Sequence, residues 1–441
     1  MASFPRTQKL VALAAVTLVV IATLVGVAFT QSGESAAPPP TPVGTPTAVP
    51  VLELPRASFD EVVADVRGAA GTSAPVGCPF IDERQLRDNN FLSLTPGLTF
   101  VCDQQGESAR AIAPGRVVMR VNQAPLNSEK AEIVANGKDG PWVRAAAYGN
   151  FVVVDHGPLG GVPNVTSVYA GLESIPESLE LGQQVDATTE LGTLGAKLIN
   201  GELVPGVLTF ELLSDDTRFG ADPLRRNPPP ASTSFELAQR LGPELALPID
   251  GCNFPFGNPD LNVGAPRAYR SGTHNGLDFN CGTTDHDIVA AADGEVLFVI
   301  SDYNDATPEN RDAVLANSAL AVDTPFWTLA MLYGNFVVVA HPLPDSGDQI
   351  VSIYAHLSEV DEEIVTGRVV TQGTRLGRVG NTGTSASAEG ISDNHVSVHL
   401  HWELHVNDRA IGYLQDPVDT EPLYVSMLCT LGADPAITGN C

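Results

Sequence analysis

The sequence predicts a mainly β protein made of two tandem antiparallel β-sheet domains. Short stretches rich in Val, Ile, Leu and Phe alternate with turns of Gly, Asn and Asp, a pattern typical of strands. The chain also repeats itself at a distance of about 185 residues, which indicates a duplicated domain and not a solenoid. With 441 residues, the chain has room for two domains of ordinary size.

The repeat is clearest in two pairs of segments. Residues 148–156 and 333–341 share Tyr-Gly-Asn-Phe-Val-Val-Val followed by one variable residue and His. Residues 167–172 read Ser-Val-Tyr-Ala-Gly-Leu, and residues 352–357 read Ser-Ile-Tyr-Ala-His-Leu. The predicted order is a signal peptide or N-terminal membrane anchor (1–30), a Pro/Thr-rich linker (31–50), a first domain (51–227), a linker (228–247) and a second domain (248–441).

The N-terminal segment has the features of an export signal. An uncharged, mostly apolar run at residues 10–30 follows Arg6 and Lys9. A basic flank before an apolar core is typical of a signal peptide, and the run is also long enough to be retained as a membrane anchor. Residues 31–50, rich in Pro and Thr, are predicted to form an extended spacer. We therefore expect an exported protein, either extracellular or in the cell envelope.

Charge and cysteine content agree with that compartment. Acidic residues outnumber basic ones 52 to 24, and a net charge of -28 argues against nucleic-acid partners and against a polybasic grip on anionic lipid. Six cysteines are typical of an oxidising environment, although sequence alone leaves their connectivity open. The simplest pairing is sequential: Cys78 with Cys102, Cys252 with Cys281, and Cys429 with Cys441.

The histidines of the second half suggest a metal site. His399 and His401 stand two residues apart in a β-favouring run, so both side chains point to one face of a strand. Upstream, His274 and Asp278 supply a further imidazole and a carboxylate, and His356 lies between the two groups. Two histidines and one aspartate as zinc ligands leave a fourth position open for water, as in catalytic zinc sites.

Four motifs in order resemble the M23 family, the LytM- and lysostaphin-type zinc endopeptidases that cut peptidoglycan cross-links. They are His-Asn-Gly-Leu-Asp at 274–278, Tyr-Ala-His-Leu at 354–357, Gly-Asn-Thr-Gly-Thr-Ser at 380–385 and His-Leu-His-Trp-Glu-Leu at 399–404. Each motif alone is weakly specific, whereas all four in order are strongly specific. The resemblance covers most of residues 250–420 and implies the LytM/M23 type of β fold.

The resemblance also implies roles for five residues. It makes His274, Asp278 and His401 the ligands of one zinc ion, and His356 and His399 the catalytic pair beside the water that the zinc activates. It implies hydrolysis of peptide bonds in peptidoglycan cross-links or stem peptides. Zinc lowers the pKa of bound water, and a neighbouring histidine can accept the proton and pass it to the leaving amine. Which of the two histidines is the general base stays open.

The first copy lacks these residues. Aligned on the shared Gly-Leu, it places other residues at the positions of His274, Asp278, His356, His399 and His401, in that order: Thr95, Thr99, Gly171, Val207 and Thr209. The hydrophobic frame persists while all five chemical positions change. We therefore predict that the first copy is catalytically inactive, with a role in wall docking, packing or regulation of the second.

Two polar positions are shared by both copies. His341 corresponds to His156, and Glu403 corresponds to Glu211. Because the predicted inactive copy keeps both, the sequence favours structural roles for them. The second copy also carries an insertion at about residues 302–325, whose polar start predicts a surface loop.

Two other functions remain open. One is a non-catalytic adaptor that regulates a separate wall hydrolase, and the other is a zinc peptidase that acts on proteins. Family members of the adaptor kind have typically lost zinc ligands, whereas the full set is present here. Nothing in the sequence names the scissile bond.

Overall fold

A computed structural model describes most of both predicted copies. The described residues are 86–87, 98–101, 106–122, 145–146, 148–159, 162–199, 202–214, 217–218, 245–319, 324–341, 350–391, 395–406 and 409–430. The predicted N-terminal segment, its spacer and the predicted boundary near residue 228 lie outside them. Within the described part of the chain, no helix combines the length and the hydrophobicity that crossing a bilayer requires.

The first region is one antiparallel sheet of ten strands. Its Val-rich segments form the central strands, because β-branched side chains pack well on a pleated surface. The strands are β1 (Leu86–Arg87), β2 (Leu98–Val101), β3 (Ser108–Arg110), β4 (Gly115–Val121), β5 (Asn150–Leu159), β6 (Val162–Ser174), β7 (Gln184–Val185), β8 (Glu190–Ile199), β9 (Glu202–Ser214) and β10 (Thr217–Arg218).

The second region has a seven-stranded and a three-stranded antiparallel sheet. Strands β12, β18 and β16 make up the smaller sheet. The strands of this region are β11 (Leu277–Asn280), β12 (Asp287–Val289), β13 (Gly294–Ile300), β14 (Phe336–His341), β15 (Ile350–Ala355), β16 (Leu357–Val360), β17 (Val369–Val370), β18 (Arg375–Val379), β19 (His399–Val406) and β20 (Arg409–Ala410). The protein is therefore mainly β, as the sequence predicts.

The two regions pair their strands in the same order. In the first region neighbouring pairs run β2–β9–β6–β5–β4–β7, where β9 pairs with both β8 and β6. In the second region they run β11–β19–β15–β14–β13–β17. The small strand pairs β3–β8 and β12–β18 also correspond.

Helices lie mainly in the second region. They are a short 3-10 helix (Pro259–Leu261), α1 (Pro308–Ser318), α2 (Phe326–Tyr333), α3 (Ser385–Ala388) and α4 (Pro417–Thr430). The prediction of a surface loop at 302–325 is wrong, because α1 occupies much of it. Thr307 caps the first turn by accepting a hydrogen bond from the backbone N–H of Asn310, and Pro308 begins the helix. The side chains of Val314 and Leu315 are buried on the inner face of this helix.

One hydrophobic cluster is built from both regions. Phe151 of β5 and Phe298 of β13 belong to it, with ring centroids 6.4 Å apart. Polar contacts join the same surfaces through α1, since the Asn317 side-chain amide donates to a carboxylate oxygen of Asp155 at 2.9 Å. Each region also has a hydrophobic cluster of its own. The cluster of the second region includes the apolar side chains of β19, and that of the first includes Phe210. The two regions therefore share part of their core.

The predicted disulfide between Cys252 and Cys281 is confirmed. It ties the segment that precedes β11 to the end of that strand, beside the backbone bridge between Asn253 and Asn280. A link that closes a loop of this length stabilises a fold by roughly 3–4 kcal/mol on the chain-entropy estimate. The other two predicted pairs lie outside the described residues or involve side chains that are not described.

Candidate metal centre and active site

Strand register brings the central residues of the site together. Asp278 of β11 lies directly opposite His401 of β19, and Asn280 lies opposite His399. Directly opposed residues of an antiparallel pair project their side chains to the same face. Because His399 and His401 are two residues apart, both imidazoles share that face with the Asp278 carboxylate.

His274 approaches the same point from the segment before β11. Its backbone N–H donates to the carbonyl of Ala265 at 2.8 Å, and its own carbonyl accepts from the N–H of Gly264 at 2.9 Å. Gly276 lets this segment pass close to β19, since a Cβ there would lie 2.6 Å from the carbonyl oxygen of Trp402. The glycine of the His-Asn-Gly-Leu-Asp motif is thus required by the close approach of two backbones.

Three potential ligand atoms converge at the centre. Oδ1 of Asp278 lies 3.1 Å from Nε2 of His274 and 2.8 Å from Nδ1 of His401. The two nitrogens are 3.1 Å apart. These three side chains are the one group within the described residues whose ligand atoms are arranged to hold a metal ion.

The hydrogen bonds of His274 fix which of its nitrogens faces the centre. Nδ1–H donates to the backbone carbonyl of Asn262 at 3.1 Å, so Nε2 presents its lone pair. Burial lowers the pKa of His274, which keeps this ring neutral. A lone pair facing the Asp278 carboxylate is repulsive unless a cation lies between them. Two imidazole nitrogens and one carboxylate oxygen are a donor set that fits zinc.

The charges at the centre also favour a cation. Burial raises the pKa of Asp278, but interactions with His274, His399 and His401 outweigh it and hold the pKa well below its usual range. Burial lowers the pKa of His401, but hydrogen bonds to Asp278 and Glu403 outweigh it and raise the pKa to about 9. The centre therefore attracts positive charge, either a proton or a metal ion.

His356 and His399 lie beside this centre. Their ring centroids are 4.4 Å apart, and the ring of His356 is 5.7 Å from that of His401. His356 donates Nδ1–H to the carbonyl of Thr382 at 2.7 Å, and His399 donates Nδ1–H to the carbonyl of Ser397 at 2.8 Å. With Nδ1–H engaged in each ring, Nε2 is the nitrogen left for other contacts, and Nε2 of His399 lies 3.8 Å from Oδ1 of Asp278.

His356 occupies a strained backbone conformation. Its φ is +65°, in the left-handed region that non-glycine residues rarely adopt. Its N–H donates to the carbonyl of Tyr333 at 2.8 Å, and its ring is held by Thr382. Gly171, at the corresponding place in the first region, has φ +76°. The fold therefore demands this conformation in both regions, and the second places a histidine there despite the cost.

The structure thus brings together all five residues singled out in the sequence. It also adds one that sequence reasoning assigned to the fold alone. Glu403 is fully buried and accepts a hydrogen bond from Nε2–H of His401 at 2.7 Å. Its distance of two residues from His401 on a strand was the available signal, because residues two apart share a face.

Strand register places the first region's residues as the alignment predicts. Thr99 of β2 lies opposite Thr209 of β9, just as Asp278 lies opposite His401. Val207 lies opposite Val101 at the place that corresponds to His399. These counterparts carry neither an imidazole nor a carboxylate.

Residues 272–413 match the model of peptidase family M23. Among solved structures, the chain is similar to the catalytic domain of lysostaphin from Staphylococcus simulans, with 20% identity over 36% of this chain and 88% of that one, and a TM-score of 0.22. It is similar to a mutant catalytic domain of the prophage-encoded M23 protein EnpA from Enterococcus faecalis, with 19% identity over 35% and 89% and a TM-score of 0.21.

It is also similar to Csd3 of Helicobacter pylori, with 12% identity over 76% of this chain and 72% of that one, and a TM-score of 0.22. The comparison with curated proteins gave no match. At these scores the structural likenesses carry no conclusion about activity.

Proposed function

Because residues 272–413 match the model of peptidase family M23, we propose that this protein is a zinc metalloendopeptidase that hydrolyses peptide bonds in bacterial peptidoglycan. The observation that carries the proposal is the convergence of three ligand atoms beside two further histidines. The peptidoglycan substrate rests on the resemblance to LytM- and lysostaphin-type enzymes.

His274, Asp278 and His401 would hold the zinc ion. When bound there, zinc would polarise the peptide carbonyl and lower the pKa of water towards neutrality. The Nδ1–H of His274 and the Nε2–H of His401 are each held by an oxygen acceptor, which turns the opposite nitrogen of each ring to the centre.

His356 and His399 would move protons at the scissile bond. Burial lowers the pKa of His356 well below its usual value, and its neighbours His399 and His401 add to that effect, so the ring is neutral and able to accept a proton. The carbonyl of Thr382 would stabilise the imidazolium so formed through Nδ1–H. His399 is more exposed, with 21% of its side chain accessible, which suits exchange with the leaving amine.

We further propose that the first region is a duplicated, catalytically inactive copy. The same strand order in both regions supports the duplication. The Thr99–Thr209 pair, at the register of Asp278 and His401, supports the loss of metal binding. The shared hydrophobic cluster supports a role in stabilising the second region.

We also propose that the protein is exported, on the basis of the apolar run at residues 10–30 and its basic flank. The Cys252–Cys281 disulfide supports an oxidising compartment. Peptidoglycan lies in that compartment, so substrate and enzyme would meet there.

The test follows the release of free amino groups from purified peptidoglycan by the full-length, zinc-loaded protein, with His401→Ala as control. Amine release by the wild type alone would support metal-dependent cleavage, and mass analysis of the fragments would identify the bond. Bound zinc without release from several wall chemistries would refute the wall substrate. Neither zinc nor release would sink the enzyme proposal and favour an adaptor.

A further inference from the structure

Strand β19 carries four polar side chains on one face. They alternate with Leu400, Trp402, Leu404 and Val406, which all belong to the hydrophobic cluster on the opposite face. The four are His399, His401, Glu403 and His405. The first two face the candidate metal centre, whereas Glu403 and His405 lie deeper and are buried.

Glu403 receives hydrogen bonds from three side chains. Its Oε1 accepts from Nε2–H of His401 at 2.7 Å and from the hydroxyl of Tyr333 at 2.5 Å. Its Oε2 accepts from Nε2–H of His405. A fully buried carboxylate is costly unless it is paired and hydrogen-bonded. These contacts satisfy Glu403 from two elements, α2 and β19.

The contact with Tyr333 also fixes the plane of the His401 ring. The two rings stack with centroids 5.4 Å apart and an interplanar angle of 28°. Glu403 therefore restrains the direction of Nε2–H, while Tyr333 restrains the ring face. Together they leave Nδ1 of His401 pointing at Asp278, 2.8 Å from its Oδ1.

We propose that Glu403, anchored by Tyr333 and His405, is a positioning residue that holds His401 in the orientation and tautomer required for metal binding. This inference rests on the proposed metal centre and adds a specific function for a residue outside the ligand set. A carboxylate that accepts the second N–H of a ligand histidine orients the ring and raises its basicity. The expected consequence is tighter binding of zinc.

A purely structural role for Glu403 makes a different prediction. In that case its replacement would lower the stability of the fold and leave the metal affinity of the folded protein unchanged. The sequence favours this alternative, because Glu211 stands at the corresponding place in the first region. Metal affinity therefore separates the two roles, whereas loss of activity alone does not.

The experiment measures the zinc dissociation constant of the full-length protein by competition with a chromophoric chelator. Glu403→Gln keeps an amide oxygen for His401 and Tyr333 but removes the charge. Its new amide N–H can donate to His405, whose Nδ1 is buried without a hydrogen-bond partner and can take the proton instead. This variant is expected to fold and to bind zinc about 10-fold more weakly.

Glu403→Leu removes the acceptor altogether and is expected to weaken zinc binding by up to about 100-fold. The matched control is His341→Gln, which replaces another buried histidine of the same sheet that does not face the centre. It is expected to lower stability without changing the zinc dissociation constant. The absorption spectrum of bound cobalt, a probe of ligand geometry, should change in both Glu403 variants and stay the same in the control.

The outcomes are distinguishable. A wild-type protein that binds no zinc would refute the proposed metal centre itself. A wild type that binds zinc and cleaves, with folded Glu403→Gln and Glu403→Leu proteins of unchanged zinc affinity and cobalt spectrum, would overturn the positioning role alone. If Glu403→Leu does not fold, Glu403→Gln decides the matter by itself.

Discussion

The two regions of the molecule contain the same hydrogen-bond network around a histidine, but they differ at the positions of the candidate metal centre. In the first region, His156 contacts the carbonyl of Pro114 through Nδ1 at 3.0 Å and Oγ of Ser167 through Nε2 at 2.7 Å. Oγ of Ser167 lies 3.1 Å from the hydroxyl oxygen of Tyr169, and that hydroxyl accepts from the backbone N–H of Ile112 at 2.8 Å.

The second region repeats each of these contacts. His341 meets the carbonyl of Asp293 at 2.9 Å and Oγ of Ser352 at 2.7 Å. Oγ of Ser352 lies 3.0 Å from the hydroxyl oxygen of Tyr354, which accepts from the N–H of Ala291 at 2.8 Å. The network thus ties a strand pair to the loop beside it in both regions.

The difference between the regions separates fold from chemistry. The network of His341 recurs in the first region, where no group of described residues is arranged to hold a metal ion, so it stabilises the sheet. The residues at the register of Asp278 and His401 are threonines in the first region, although the strands pair in the same way. The backbone therefore does not require the residues of the candidate metal centre, and their presence in the second region favours a function other than folding.

The largest expected effect comes from His401→Thr, which places at position 401 the residue type found at its counterpart, Thr209. In His401→Thr, one of three ligands is missing, so bound zinc should fall to near none and peptidoglycan cleavage should become undetectable. Metal analysis and amine release measure the two quantities. Thr209→Val, at the matched position of the first region, should leave both unchanged. Stoichiometric zinc and full activity in His401→Thr would show that His401 is not a zinc ligand.

His356→Gly transplants the glycine found at position 171. The turnover number should fall by about 10²- to 10⁴-fold while zinc stays bound, because a proton-transfer group is lost and the ligands remain. The free energy of unfolding should change by no more than about 1 kcal/mol, since relief of the left-handed strain offsets the lost hydrogen bond to Thr382. Unchanged turnover would remove His356 from the mechanism.

Phe151→Ala tests whether the two regions are stabilised together. The side chain is fully buried in the shared cluster, and its loss should cost about 3–5 kcal/mol of unfolding free energy. The temperature at which peptidase activity is lost should fall, although Phe151 belongs to the first region. Phe210→Ala, in the core of the first region alone, should shift that temperature less. Equal shifts would argue against a special role for the shared cluster.

The histidine network predicts a loss of stability in acid. Burial lowers the pKa of His341 to about 4, so the folded protein keeps this ring neutral where an unfolded chain already binds a proton. Its contribution is complete above the unfolded pKa of about 6.5 and is lost as pH falls towards 4, by up to about 3 kcal/mol. Denaturant titrations of wild type and His341→Gln should differ in pH dependence over that interval. Parallel curves would contradict the assignment.

The smallest expected effect compares Ser167→Ala with Ser352→Ala. Each change removes the hydroxyl between a histidine and a buried tyrosine, and each should cost about 1 kcal/mol of unfolding free energy. Chemical denaturation measures both costs. Similar values would support the same structural role for the two networks. A large cost in only one region, or a change in zinc affinity, would break the correspondence.

The candidate site was largely predictable because its signals are local in sequence. A spacing of two on a strand places His399 and His401 on one face. The corresponding repeated segment of the first region has neither histidine. Glu403 was not assigned to the site from the sequence, because its counterpart Glu211 suggested a role in the fold. Its contact with Tyr333 joins residues 70 positions apart, which local patterns do not reveal.

The helix at Pro308–Ser318 was missed for a related reason. Its first residues are polar, and the apolar residues that it buries, Val314 and Leu315, are too few to give a clear helical period. They are buried because both regions supply side chains to one cluster. Packing between regions therefore overrides the weak local signal.

The sequence by itself determined the strand-rich fold, the internal repeat and the five residues of the candidate centre. These depend on side-chain periods and on residue types, which are written along the chain. Only the tertiary structure decided that Asp278 lies opposite His401, that Glu403 and Tyr333 hold the His401 ring, and that the regions share a core. Those features depend on strand register and on contacts between segments far apart in the sequence, which form only when the chain folds.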